Sequence, residues 1–171
     1  MAEGDIDVSI RFGMPPDGRI IALKLANHRR RIYAAPSYFL RRARPVVPTD
    51  LAQHTCLIVR QDDVAYGQWH FTKARKTQTV KVRGALSSND GSVVLGWALD
   101  GRGIILRSEW DAEPFVRNAQ LEVLLKDYEL PSADIYAVYP TKENLAAKVR
   151  VFLDFLSEHF SQKIGRERSP W

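Results

Sequence analysis

Apolar and polar residues alternate at the start of the chain. Ile6, Val8 and Ile10 stand between Asp5, Asp7, Ser9 and Arg11, a period of two that predicts a strand. Gly13 and the run Met14-Pro15-Pro16-Asp17-Gly18 close it. Residues 20–26 and 32–35 read as two further strands around a basic turn. Pro36 opens a short helix carrying Tyr38, Phe39 and Leu40, because proline is tolerated in a first helical turn. Pro48-Thr49-Asp50-Leu51 opens another helical turn, and Cys56-Leu57-Ile58-Val59 is a short apolar strand.

The middle of the chain is rich in strand signals. Trp69 and Phe71, then Val80 and Val82, alternate with polar neighbours on either side of a Lys73–Lys76 turn, which predicts a hairpin. The period then changes. Val93 with Trp97, and Val94 with Ala98, lie four apart on a helix that Asn89 or Asp90 can cap and Gly101 can stop. Ile104-Ile105-Leu106 has the uninterrupted apolar character of a buried parallel strand. A helix over 109–118 and strands over 121–125 and 135–139 follow. The last element is a helix over which Leu145, Val149, Phe152, Leu153, Leu156 and Phe160 recur at helical spacing, with Thr141 and Asn144 as candidate caps and 161–171 as a flexible tail. Helices set between apolar strands indicate an α/β fold with a substantially parallel sheet.

Composition narrows the function classes. With 171 residues, 45% hydrophobic and 26% charged, the chain fits one domain or two small lobes with a real core. No stretch has the apolar length of a membrane span, and Met1-Ala2-Glu3-Gly4 lacks a signal-peptide pattern, so a cytoplasmic location and no membrane partner are expected. The net charge of +5 comes with basic clusters at 28–31, 41–44, 73–76 and 163–168. Each adjoins an apolar element and none is interleaved with a stacking pattern of aromatics, so they read as solvated faces rather than as a nucleic-acid surface.

Catalytic chemistry finds little support. The single cysteine, Cys56, excludes an internal disulfide, and its neighbour His54 has no third orienting group, so Cys56 reads as a buried apolar residue. The histidines at 28, 54, 70 and 159 have no metal-ligand spacing, and no metal or cofactor is expected. Gly101-Arg102-Gly103 follows a helix and precedes a strand, the reverse of a dinucleotide loop, and reads as a helix stop. The junction Leu86-Ser87-Ser88-Asn89-Asp90-Gly91 is different. A strand entering a helix there presents backbone N–H groups at the positive end of a helix dipole, flanked by hydroxyl and amide side chains. That suits a small anion; equally, Asn89 or Asp90 serves simply as the cap.

Seven segments carry a family resemblance. In order they are 5–13 (Asp-Ile-Asp-Val-Ser-Ile-Arg-Phe-Gly), 33–38, 48–57, Trp69-His70-Phe71, Ser88-Asn89-Asp90, 98–104 and 148–156. Together they resemble the effector-binding domain of LysR-type transcriptional regulators over about residues 5–160. The run Ile105-Leu106-Arg107-Ser108-Glu109-Trp110 departs from the Leu-Pro ending common at that strand in the family. The resemblance implies a periplasmic-binding-protein-like (type 2) α/β fold of two Rossmann-like lobes with a ligand cleft between them. Residues 20–131 would form the second lobe. Residues 1–19 and 132–160 would form part of the first, with the crossover strands. The family's amino-terminal winged helix-turn-helix, linker helix and opening β/α units have no counterpart in the sequence.

The resemblance also implies a role. The chain is expected to sense a small anionic or aromatic effector and to control transcription, without being an enzyme. It is expected to self-associate through the effector domain and to act on DNA only through a helix-turn-helix head outside this chain. Carried over by position, the ligand-binding candidates are Phe12, Gly13, Ile58, Val59, Ser88, Asn89, Asp90 and Arg107. The resemblance favours a ligand-facing role for Ser88 and Asn89 over capping alone. Two other readings are a free-standing module acting through protein association, and an enzyme resting on Cys56 or His54.

Overall fold

The computed structural model describes residues 6–15, 20–60, 67–141 and 146–167. Asn144 and Leu145 fall outside them, so the expected Asn144 cap and the Leu145 end of the apolar spacing lie outside the described residues. The chain divides into two compact units, residues 29–131 and residues 1–28 with 132–171. The sequence reading divides its lobes at 19/20 and 131/132; the compact units divide at 28/29 and 131/132.

The unit of residues 29–131 is built on five strands: β3 (Arg30–Ala34), β4 (Cys56–Val59), β7 (Gly84–Ser88), β8 (Ile104–Ser108) and β9 (Glu122–Leu124), in the order β7-β4-β8-β3-β9. Strand β4 runs parallel to both β7 and β8, whereas β3 runs antiparallel to both β8 and β9. The sheet is therefore mixed, not substantially parallel. The expected hairpin is present as β5 (Gln68–Lys73) and β6 (Lys76–Lys81), a separate antiparallel pair that puts Trp69 opposite Val80.

Alternation along β3 sends side chains to two cores. Ile32 and Ala34 join Tyr38, Phe39, Leu51, Cys56, Ile58, Ile104 and the hairpin residues Trp69, Phe71 and Val80. Tyr33 and Ala35 join Leu57, Ile105, Leu121 and the helices α1 (Gly91–Leu99) and α2 (Glu109–Arg117) on the other side. Tyr38 and Phe39 come from one short 3-10 turn, Pro36–Arg41, and Leu51 from another, Pro48–Gln53. Helix α1 buries Val94, Leu95 and Ala98. Val93, grouped by spacing with this face, is 43% exposed because the nine-residue helix is apolar nearly all round and only one side meets the sheet. Gly101 ends the region with φ +71°, a left-handed stop next to Ser37.

The other unit holds β1 (Ser9–Phe12), β2 (Ile20–Ala26) and β10 (Ile135–Pro140), antiparallel in the order β1-β10-β2. Strands β2 and β3 are thus not a hairpin: β2 pairs with β10, and β3 enters the five-stranded sheet. Helix α3 (Ala147–Glu167) packs against β2 through buried Val149 and Leu153. It continues to Glu167, past the Phe160 end expected from the apolar spacing. Asp134 ties this unit together. Its carboxylate accepts Lys24 Nζ at 2.5 Å and the His28 backbone N–H at 2.9 Å, while its carbonyl accepts the Gly13 N–H at 2.8 Å. Burial pushes the Asp134 pKa up, but bonds from Lys24, Ser132 and His28 outweigh it and bring the value to about 2.

Candidate functional site

Three parallel strands bring their carboxyl ends to one edge of the five-stranded sheet. Parallel register sets Ile58 beside Ser87 and Val59 beside Ser88, and the Arg60 N–H donates to the Ser88 carbonyl at 2.8 Å. On the other side of β4, β8 continues past Ile105 to Arg107. Ligands of open α/β sheets collect outside the carboxyl ends of parallel strands, where loops and helix starts converge.

The turn from β7 into α1 is held by its own side chains. Ser88 Oγ accepts the Asp90 N–H at 3.0 Å, and Asp90 Oδ1 accepts the N–H groups of Ser92 at 2.7 Å and Val93 at 3.4 Å. Asp90 is therefore the helix cap, with Ser88 shaping the turn beneath it. Asn89 is exposed, and among the described residues its carboxamide has no hydrogen-bond partner.

Arg107 is the residue whose place the linear sequence does not disclose. Its side chain shares the face of Ile105 and reaches the first turn of α1, where it lies flat against Gly91. A Cβ on Gly91 would fall 2.0 Å from Nη1 and 2.7 Å from Cζ. Nη2 pairs with Asp111 at 2.8 Å, the side chain is only 18% exposed, and Nε is shielded from solvent without a partner. A guanidinium at a helix N-terminus adds positive charge where the dipole is already positive. Asp90 and Asp111 bring two carboxylates to the same corner and offset that charge, so what the corner offers an incoming group is hydrogen bonding beside a fixed guanidinium.

The sequence candidates fall into three groups. Val59, Ser88, Asn89, Asp90 and Arg107 gather around the start of α1. Ile58 shares that strand end through its backbone, but its side chain is buried in the opposite core with Phe71 and Leu51, because adjacent strand residues point to opposite faces. Phe12 and Gly13 belong to the other compact unit. Phe12 is 67% exposed with its ring 5.2 Å from that of His28, and Gly13 has φ +78°. Gly91 enters the sequence reading only as the end of the strand–helix junction, and Asp111 does not enter it. The Arg107/Asp111 spacing of four is visible in the sequence, but it spans a strand–helix junction and gains meaning only from the fold.

The Cys56–His54 pair does not form. Cys56 is fully buried, its thiol pKa is pushed up to about 12 by burial, and Sγ faces the Leu51 carbonyl at 3.9 Å. His54 Nδ1 instead meets the Tyr38 hydroxyl at 3.3 Å. A thiol so protonated is a poor nucleophile. Among the described residues no group of three His, Cys, Asp or Glu is placed to hold a metal, and no helix is long and apolar enough to cross a membrane.

Comparison with known proteins gives one answer. The LysR substrate binding domain matches residues 1–161. The activator TtdR of Escherichia coli K12 is 37% identical over 166 residues, 97% of this chain and 53% of its own length. The regulator DmlR of the same strain is 36% identical over 157 residues, 92% of this chain and 51% of its own. The chain thus spans about half the length of the curated relatives it matches. Among solved structures, full-length AphB of Vibrio cholerae matches with TM-score 0.76 at 26% identity, over 90% of this chain and 52% of that one. The regulatory domain of AphB from Vibrio vulnificus matches with TM-score 0.71 at 26% identity, over 91% and 77%. The latter is a regulatory domain, the shared fold is periplasmic-binding-protein-like type 2, and the curated relatives of this chain are named as transcriptional regulators rather than enzymes. The chain belongs to the LysR substrate-binding domain family.

Proposed function

We propose that this chain is the effector-sensing part of a bacterial transcriptional regulator, and that it recognises a small anionic molecule, aliphatic or aromatic, at the start of α1. The observation that carries this reading is the Arg107 guanidinium laid against Gly91, beside the exposed Asn89 carboxamide and the Ser88 hydroxyl. In this reading Arg107 supplies charge, Asn89 and Ser88 supply directional hydrogen bonds, and Val59 borders the site. Phe12 and Gly13 are effector contacts on the family resemblance alone, and the two compact units are the two lobes.

The mechanism is differential binding. An effector that prefers one arrangement of the domain shifts the population toward it by its difference in affinity. Output to DNA then belongs to the helix-turn-helix segment implied by the relatives' names, and self-association to the effector domain. A cytoplasmic location follows from that role.

The test is a panel of small aliphatic and aromatic carboxylic acids read by melting temperature. A binding acid should lose at least tenfold in affinity in Arg107→Met and Asn89→Ala. Gly91→Ala should do the same with little loss of stability, because the added methyl meets only the mobile end of Arg107. Binding that ignores substitutions at 88, 89 and 107 would remove this site from consideration.

A further inference from the structure

Strand register sorts the arginines at the start of β3. Arg31 lies opposite Arg107 and Arg30 opposite Ser108, so Arg30 is on the other face of the sheet from Arg31 and Arg107. On the helical face each guanidinium has a carboxylate from α2: Arg31 Nε meets Glu109 at 3.1 Å, and Arg107 meets Asp111 at 2.8 Å. Arg30 has none. Among the described residues its one hydrogen bond runs from Nη2 to the Pro131 carbonyl, a neutral acceptor at 3.4 Å. Its Nε is shielded from solvent and unpartnered.

A guanidinium stays charged under all ordinary conditions, so it cannot relieve desolvation by losing its proton. Burial lowers the Arg30 pKa from its ordinary value. Only one side of the guanidinium is shielded: Nε is buried without a partner, whereas the Nη2 bond to Pro131 is exposed, so the group keeps its charge and lacks a counterion at its open end. The residue is only half-buried, which leaves a route for a small ion, and its strand neighbours on the same face, Ile32 and Leu106, are apolar. We propose that Arg30 is the anchor of a second anion site, separate from the one at Arg107, which binds the carboxylate of a small organic acid beside the Pro131 carbonyl on the hairpin side of the sheet.

Sodium acetate, added to the full chain at constant ionic strength, tests this through melting temperature and the Arg30 Nε–H resonance. The wild-type protein should show a saturable rise in melting temperature and a shifted Arg30 signal. Arg30→Met should lose the Arg30-dependent part of the rise and, without acetate, be at least as stable as wild type, because an unpaired charge has been removed. Arg107→Met should keep it. An undiminished response in Arg30→Met, or one lost only in Arg107→Met, would overturn the second site; so would an Arg30 resonance unmoved by acetate. Failure of the effector reading at Arg107 would leave the Arg30 response intact, so the two outcomes are separable.

Discussion

Residues 29–131 and the unit made by 1–28 with 132–171 treat their apolar side chains differently. The first closes both faces of its sheet, one with α1 and α2 and the other with the hairpin and the two 3-10 turns. The second packs α3 on its sheet through Val149 and Leu153, yet leaves Ile6, Ile10, Phe12, Met14, Ile21, Val151, Phe152 and Phe155 between 41% and 76% exposed. Among the described residues, eight of the twelve exposed large hydrophobics belong to this smaller unit. Hydrophobic pattern alone does not separate the two, because the alternation of β1 and the spacing of α3 are as regular as anything in the larger unit. What differs is whether a second layer meets each apolar face.

The sharpest way to break this contrast is to truncate one phenylalanine in each unit. Phe71 is 1% exposed and packs edge-on against Tyr128 at 6.3 Å between centroids. Phe71→Ala should cost about 3–5 kcal/mol in urea denaturation. Phe155, 59% exposed, should cost under about 0.5 kcal/mol as Phe155→Ser, and should reduce binding of a hydrophobic dye. Equal losses at the two positions would mean that Phe155 is as well packed as Phe71, and the contrast would fail.

Two glycines of the larger unit sharpen it. A Cβ on Gly103 would stand 2.5 Å from the Thr55 carbonyl oxygen and 3.1 Å from Leu57 Cγ, so backbone must move. Gly103→Ala should cost about 1–3 kcal/mol. Gly91→Ala meets a nearer atom at 2.0 Å, but that atom ends the Arg107 side chain and can swing away. Its stability should hold while effector affinity falls, a split readable by thermal melts and titration on the same two variants.

Acid should loosen the units in different windows. Burial and the nearby Arg42 lower the His54 pKa from its ordinary 6.5. The Tyr38 hydroxyl, which accepts the Thr55 N–H at 2.9 Å, offers its proton to neutral His54 Nδ1. Asp134, at about 2, lies below its ordinary 3.8. For both groups the unfolded chain binds more protons within the window, so stability is present above the ordinary value and lost as pH falls toward the folded one. Hydrogen-exchange protection factors, corrected for the intrinsic fall in rate with pH, should therefore drop around the 3-10 turns as pH falls below about 6.5, while those of β2 and β10 hold to about pH 4 and drop as pH falls on toward the Asp134 value of about 2. Lys24→Met should move the second loss to higher pH.

Much of the larger unit is legible in the sequence because its signals are local. The hairpin follows from alternation about a short turn, α1 from its change of period, and the helix stop from Gly101. The pairing of β3 is not legible, since an apolar strand looks alike whether its neighbours run parallel or antiparallel, and only the sheet reveals both as antiparallel. The candidate site divides in the same way. Ser88–Asp90 is visible as a strand–helix junction, but the contact of Arg107 with Gly91 joins residues sixteen apart across a helix and a strand. Position along β4 points to Ile58, but the pleat turns its side chain into the opposite core.

The smallest effect concerns the β5–β6 turn. Ala74 and Arg75 have φ of +49° and +64°, both left-handed, between the paired residues Lys73 and Lys76. Positive φ at both centres is the turn that matches the natural twist of a two-residue hairpin, but Asn-Gly adopts it with far less strain than Ala-Arg. The hairpin face that carries Trp69, Phe71 and Val80 into the core holds the turn in this form despite its cost. Replacing Ala74 by Asn and Arg75 by Gly should therefore raise stability by about 1 kcal/mol, measured as a higher urea midpoint with unchanged slope. The gain should appear in the larger unit alone, as slower hydrogen exchange in β5 and β6 with β2 and β10 unaffected. A lower midpoint would mean that the Ala74 methyl or the Arg75 side chain contributes more through packing than its backbone costs in strain.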